Sequence, residues 1–409
     1  ACGFDGPAFV RRLARTLLRV AAAPEGIYFF DDHFQPYYGK APLAKGWDAK
    51  RRLAQPGVED VYVHELKGRA LLFVPLDAPT SLSRALPLAL RELHQVTATA
   101  PSLAVFDRGG FSRGLFQALV HPADGSRRID FLTYLAARGE RRELPLSAFH
   151  KAVLEDGGRT REYEVAESTL AIKGFERPLR LIVLLDRKKG RQIPILTSDE
   201  MTEAAKLVHL LRSRWRQENS FKYLVGELAI DALISRDMTL VPDERAVDNP
   251  ERAELREELA EAEHELAALD ARIARELVAN REATRRTVRG FKIAHAELTY
   301  PRKYVLERIE ALRADIARLP AKVRRGDLNP GAMLAKPKTR RRVFVNGLKL
   351  LVHNAEKWLA DRMGPGPYGQ HALPILRALF QQPGRIEIGP DRVRVEIQPL
   401  DTPRYQRCV

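Results

Sequence analysis

The hydrophobic pattern changes period several times along the chain. In residues 7–22, "PAFVRRLARTLLRVAA", apolar positions recur at helical spacing with Arg11, Arg12, Arg15 and Arg19 between them, which predicts a short basic amphipathic helix. The period then shortens to that of strands. "GIYFFDD" predicts a strand, and Gly57 to Leu76 predicts a hairpin turning at Lys67-Gly68. Thr80 to Val96 reads as a helix with a Ser/Thr start, and Pro101 to Phe111 as a short apolar strand ending in an aspartate. A helix near 112–121 and a strand near 129–135 follow. Residues from about 140 to 195 stay β-rich. Asp199 to Ile234 reads as one long helix, with Ser198 or Asp199 as its N-cap.

Beyond a linker at 242–250, Leu255, Leu259, Ala262, Leu266, Leu269 and Ile273 are spaced alternately by four and three residues. Val305, Ile309, Leu312, Ile316 and Leu319 repeat the rhythm. Such a seam predicts a coiled coil, either a helical hairpin turning around Gly290 or Tyr300-Pro301, or a coil between two chains. Residues 321–350 carry nine basic residues against one acid, and their Pro and Gly predict an extended basic arm before a last helix, Val343 to Ala360. "MGPGPYG" is a loop without the surroundings of a phosphate cradle. "GRIEIGPDRVRVEIQPL" predicts a hairpin.

Three antiparallel strands, a crossover helix and a parallel strand make the start of a ribonuclease H-like sheet. The expected fold class is therefore α/β, a mixed sheet flanked by helices with a β-rich insertion and a C-terminal helical region. The expected divisions are a basic N-terminal helix at 1–25, a core at 26–139, an insertion at 140–197 and a core helix at 198–241. A helical hairpin at 251–320 and an arm with helix and hairpin at 321–409 complete them.

Composition narrows the function classes. Lys plus Arg outnumber Asp plus Glu by 68 to 53, a formal charge of +15, which favours a polyanionic partner, nucleic acid before an acidic membrane surface. Cys2 and Cys408 stand at opposite ends of the chain, so neither a disulfide framework nor a zinc site is indicated. The ten histidines are scattered, the closest pair eighteen residues apart. "LIVLL" is the longest aliphatic run, too short to span a bilayer. A cytosolic location without membrane contact is expected. The chain opens "ACGFD" without a methionine, so an N-terminal piece is expected to be missing.

Acids set against apolar pattern are the candidates for chemistry, because a carboxylate there is costly unless it is paired, hydrogen-bonded or bound to a cation. Asp31 and Asp107 each close a short apolar strand. Either alone would read as a turn aspartate or a helix cap; two in this strand order point to a site. Glu218 lies on the long helix with Arg214 four residues before it and Lys222 four after, on one face. Side chains alternate along a strand, so Asp31 and its neighbour Asp32 cannot share one site, and the period does not choose between them.

"FDDHFQPYYGK", "VFDRGGF" and "RSRWRQENSFKYL" resemble the three acidic blocks of DDE transposases from bacterial insertion sequences, over roughly residues 25–235. Leu211 and Val225 stand where one large branch of that family has a tyrosine and a lysine, and Lys222 lies one turn before that lysine position. The resemblance implies a ribonuclease H-like core, with Asp31 (Asp32 as its alternative), Asp107 and Glu218 as catalytic residues and metal ligands. His33 is implied as a hydrogen-bonding neighbour. Carboxylates suit Mg²⁺ or Mn²⁺, which takes one or two of them with water and substrate phosphate. Two ions about 4 Å apart can serve an in-line displacement, in which water frees a 3′-hydroxyl that attacks a target strand.

Lys40, Lys45, Lys50, Arg51 and Arg52 follow the first acid, Arg212, Arg214 and Lys222 accompany the glutamate, and Arg340, Arg341 and Arg342 end the arm. These are the candidate contacts to DNA phosphate, with steep salt dependence. The expected partner is double-stranded DNA, in a homodimer, in a bacterial cytoplasm and associated with the nucleoid. Two alternatives stay open: a catalytically silent DNA-binding protein of transposase descent, and a nuclease that cuts without strand transfer.

Overall fold

The computed structural model describes residues 3–20, 26–76, 78–97, 101–136, 143–156, 158–233, 237–279, 290, 295–363 and 372–400. Both cysteines and most of "MGPGPYG" lie outside them. The chain divides into two compact units, one formed by Ala1–Thr239 with Ala335–Val409, the other by Leu240–Leu334.

The first unit opens with α1 (Gly6–Val20), β1 (Ile27–Pro36), β2 (Lys45–Asp48), β3 (Leu53–His64), β4 (Ala70–Pro75) and α2 (Leu82–His94). It continues through β5 (Leu103–Phe106), α3 (Arg113–Val120), β6 (Asp130–Tyr134), β7 (His150–Asp156), β8 (Arg159–Leu170), β9 (Leu179–Asp186) and β10 (Arg191–Thr197) to α4 (Ala204–Arg212) and α5 (Trp215–Leu228). All ten strands join one mixed sheet, in the order β2-β3-β1-β5-β6-β10-β9-β8-β7, with β4 on the other side of β3. β1, β3 and β4 are antiparallel, while β5 and β6 run parallel to β1. The β-rich segment expected as an insertion is continuous with this sheet, because β10 pairs with β6.

Each face of the sheet buries one set of alternate side chains, and this explains runs that are apolar without a gap. Tyr28, Phe30, Ala104, Phe106 and Phe131 face α1, α2 and α3. Ile27, Phe29, Leu103, Val105 and Leu132 face α4. The long helix expected over 199–234 is two helices. Ser213 bonds from its hydroxyl to the Leu210 carbonyl at 2.7 Å, which competes with regular helix bonding, and α5 restarts at Trp215.

The second unit contains β12 (Ala246–Asp248), α6 (Pro250–Ala279), α7 (Ala296–Arg318), β13 (Lys322–Arg324) and α8 (Arg325–Leu328), while β11 (Met238–Pro242) and β14 (Met333–Pro337) straddle its two boundaries. α6 and α7 pack on one another through Ala262, Leu269, Val305, Ile309 and Leu312, the residues of the predicted seam. Ion pairs Arg302–Asp270 at 2.5 Å and Arg313–Glu263 at 2.7 Å run antiparallel along the pair. Tyr300-Pro301 is not the turn; both residues lie inside α7.

Back in the first unit, α9 (Thr339–Arg362), α10 (Ala372–Phe380), β15 (Gly384–Ile388) and β16 (Val393–Ile397) follow, the last two pairing as the predicted hairpin. α9 begins four residues earlier than expected, so Arg340, Arg341 and Arg342 form its first turn rather than an extended arm. Arg342 is 2% exposed and its guanidinium lies 3.1 Å from the Asp60 carboxylate, itself fully buried in β3. Gln35 donates to the same carboxylate at 2.9 Å and Asn346 at 3.4 Å. This corrects the reading of Arg342 as a DNA contact.

α9 also buries His353, whose ring nitrogens have no hydrogen-bond partner among the protein atoms. Burial pushes its pKa down from 6.5 to about 3, and the Lys357 ammonium adds to this. The unfolded chain takes up a proton below pH 6.5 that the folded chain refuses. The stability that neutral His353 supports is therefore full above pH 6.5 and falls toward acid, by ~1.4 kcal/mol per pH unit. In urea melts the advantage of His353→Phe over the parent should grow by about 2 kcal/mol between pH 6.5 and about pH 5. A difference that does not move with pH would count against this linkage.

Candidate active site

Two strands and one helix place the predicted acids. Parallel pairing of β1 with β5 sets Ile27 beside Leu103 and ends with Phe30 beside Phe106. Asp31 and Asp107 are the next residues of each strand. Asp107 keeps an extended backbone (φ −85°, ψ −171°) and lines a cavity with Asp32, Glu59 and Leu82 of α2, while alternation sets Asp31 with Ile27 and Phe29 on the face of α4. Both carboxylates therefore stand at the carboxyl ends of adjacent parallel strands.

Arg214 lies at the break between α4 and α5, and its guanidinium is 3.4 Å from Asp31. Glu218 follows in the first turn of α5 and is exposed. The Asp31 carboxyl is pushed up to about 7, first by burial and further by the charges of Asp107, Asp32 and Glu218, against the pull of Arg214. The three candidate acids thus share one electrostatic neighbourhood. Two of them already have partners, since Asp31 pairs with Arg214 and Asp107 caps the following turn by accepting from the Gly109 amide at 2.8 Å. Among the described residues no three Asp, Glu, His or Cys side chains close on one point as an ion cage. Mg²⁺ needs only one or two carboxylates beside water and phosphate, so the adjacent, half-buried Asp31 and Asp107 fit it.

Asp32 points to the opposite face, with Tyr28 and Phe30. There it meets Glu59, which sits on β3 beside Phe34 and also accepts from the Thr80 amide at 2.8 Å. Burial raises both carboxyls; the hydrogen bond to Glu59 lowers Asp32 and the charge of Asp107 raises it, while the charge of Asp32 raises Glu59 further. The sequence reading missed Glu59 and Asp60, although "GVEDVYV" carries the signal used for "FFDD", acids inside an apolar strand. His33 stacks on Phe221 of α5, with ring centroids 5.1 Å apart.

The turn between β3 and β4 grips α5 from below. Gly68 has φ +78°, and a Cβ there would lie 2.9 Å from the Arg216 Cβ, so this approach requires glycine. Its carbonyl accepts from Ser220 at 2.7 Å and from Lys357 of α9 at 2.9 Å, while Gln217 meets His64 at 2.9 Å. These bonds fix the helix that carries Glu218.

The predicted basic residues separate into groups. Lys40, Lys45, Lys50, Arg51 and Arg52 are exposed around β2, with Lys50 at 3.5 Å from Asp231. Arg212 and Lys222 are exposed on α4 and α5, and Arg212 stacks over Tyr163 at 5.9 Å. Arg340 and Arg341 are exposed on α9, Arg340 lying 5.6 Å over the Phe4 ring. No helix among the described residues is long and apolar enough to cross a membrane.

A family model described as "Transposase protein" matches residues 8–407. No curated protein matches the chain. Among solved structures, the chain is similar to one described as piggyBac transposase in a synaptic complex with hairpin DNA. That match has 13% identity and a TM-score of 0.32, and covers 49% of this chain and 41% of the other.

Proposed function

The chain belongs to the transposase protein family, and from that premise we propose that it is a DDE-type DNA transposase of a bacterial insertion sequence. It would cleave phosphodiester bonds and transfer strands on a ribonuclease H-like core. The observation that carries this reading is the parallel pairing of β1 with β5, whose next residues are Asp31 and Asp107, with the charges of Asp107 and Glu218 both acting on Asp31. The strand order β4-β3-β1-β5-β6, antiparallel and then parallel, supports the same core.

In this reading Asp31, Asp107 and Glu218 hold Mg²⁺ or Mn²⁺. Bound there, the metal supplies Lewis acidity to the attacking and leaving oxygens. Arg214 offsets the charge of Asp31 until the site is filled. Lys40, Lys45, Lys50, Arg51, Arg52, Arg212, Lys222, Arg340 and Arg341 bind phosphates of double-stranded DNA, at an affinity that falls steeply with salt. The packed pair α6–α7 serves assembly of a homodimer, and the protein works in the cytoplasm at the nucleoid.

One observation favours a second reading, a silent DNA-binding descendant: the Arg214 and Gly109 contacts occupy Asp31 and Asp107. Supercoiled plasmid carrying the DNA that flanks the gene separates the readings. With Mg²⁺ or Mn²⁺, nicking followed by joining is the expected result. Binding without nicking supports the silent protein, and nicking without joining supports a nuclease.

A further inference from the structure

Beyond the carboxyl ends of β1 and β5, a cavity of about 780 Å³ opens beside Asp107. Its floor holds the Asp32–Glu59 pair, and its rim carries Lys45, Lys50 and Arg51. Two large aromatic side chains also line it while standing mostly in solvent, Trp47 at 62% and Tyr38 at 67% exposed. The Arg51 guanidinium lies 4.9 Å over the Tyr38 ring, extending that ring into a wider flat surface. Nothing in the packing of the core explains either aromatic.

The turn that presents this rim is built rigidly. Asp48 is buried and accepts from the Lys50 amide at 2.9 Å, the Arg51 amide at 3.2 Å and the Gln55 side chain. Arg52 closes the turn with φ +54°. The backbone that carries Lys50 and Arg51 is therefore set before any ligand arrives.

A floor of oxygen acceptors calls for a ligand edge bearing N–H donors, exposed rings call for a flat face, and a cationic rim calls for an anion outside. A nucleotide with its base inward and its phosphate outward meets all three demands. A base pair inside a duplex offers the phosphate but not the rest, since its faces are stacked and its pairing edge is used. Resting on the reading of this chain as one that works on DNA, we infer that the cavity receives an unpaired nucleotide of a DNA strand end lying next to Asp107. Trp47 and Tyr38 stack its base, carboxylates of the floor accept from its exocyclic amine, and Lys45, Lys50 and Arg51 hold its phosphate.

The test uses the full chain and fluorescently labelled short duplexes, one blunt and one with a single-stranded overhang of a few nucleotides, at one fixed salt concentration. The parent protein should bind the overhang about tenfold more tightly than the blunt duplex. Trp47→Ala combined with Tyr38→Ala should remove that preference, and Trp47→Phe should keep most of it. Both positions are exposed, and matching thermal melts will show that the variants fold. Equal binding of the two duplexes by the parent, or a preference that survives the double alanine variant, overturns the pocket while leaving the DNA reading in place. Failure to bind either duplex overturns both.

Discussion

Asparagine in place of Asp31 is expected to reduce metal-dependent nicking of plasmid by about a thousandfold or more, equivalent to ~4 kcal/mol of transition-state stabilisation. Asp107→Asn and Glu218→Gln should fall to the same level. Combining two of them should cost little beyond one, because groups that act as a unit are not additive. The comparison that discriminates is Asp32→Asn. Asp32 faces the Glu59 side of the sheet and is expected to lose about tenfold or less. An inverted ranking, with Asp32 essential and Asp31 dispensable, would move the site to the other face. Thermal melts should accompany each variant, since relieving the crowded carboxylates is expected to stabilise the fold slightly.

The second large effect lies in the core. Asp60→Ala should destabilise the protein by ~3–5 kcal/mol, because it leaves the Arg342 guanidinium buried at 2% exposure without its counter-charge. Arg342→Met leaves the Asp60 carboxylate with Gln35 and Asn346 as donors and should cost less. The double variant should recover much of the loss, the signature of a coupled pair. Denaturant melts of the three proteins measure the coupling. Additive losses would mean that the two side chains do not act on one another. Arg341→Ala, exposed in the same turn, is the control and should leave stability near the parent value.

Those two sites mark where sequence reading succeeds and where it stops. Apolar runs and their period place β1, β5 and the two acids at their ends, because a strand's side-chain alternation and its terminus are local properties. The same period shows the α6–α7 seam. It cannot show the interruption at Ser213, which depends on one hydroxyl turning back to a carbonyl inside an otherwise regular apolar pattern. Nor can it tell Arg342 from its neighbours in "TRRRVF". Three adjacent arginines look alike until a buried acid on a distant strand selects one. Similarly, "FFDD" contains two acids that composition cannot separate, and register alone sends Asp31 toward Arg214 and Asp32 toward Glu59. The β-rich segment was legible as strands but not as an extension of the main sheet, since pairing of β10 with β6 is non-local.

The contact between α9 and β3 also sets an order on folding during synthesis. Asn346 and the acid it serves are separated by 286 residues, and α1 packs against α9 as well. A growing chain that has released the whole sheet still carries Asp60 without its counter-charge, beneath a surface that only the late helix covers. The sheet can collapse early, yet its last layer closes only once α9 has been made, so until then the growing chain keeps an open side. Ribosome-bound chains stopped before Thr339 should therefore be cut by protease within β3 and β4, and chains extended past Arg362 should resist. Protection that arrived before α9 emerged would place the closing step elsewhere.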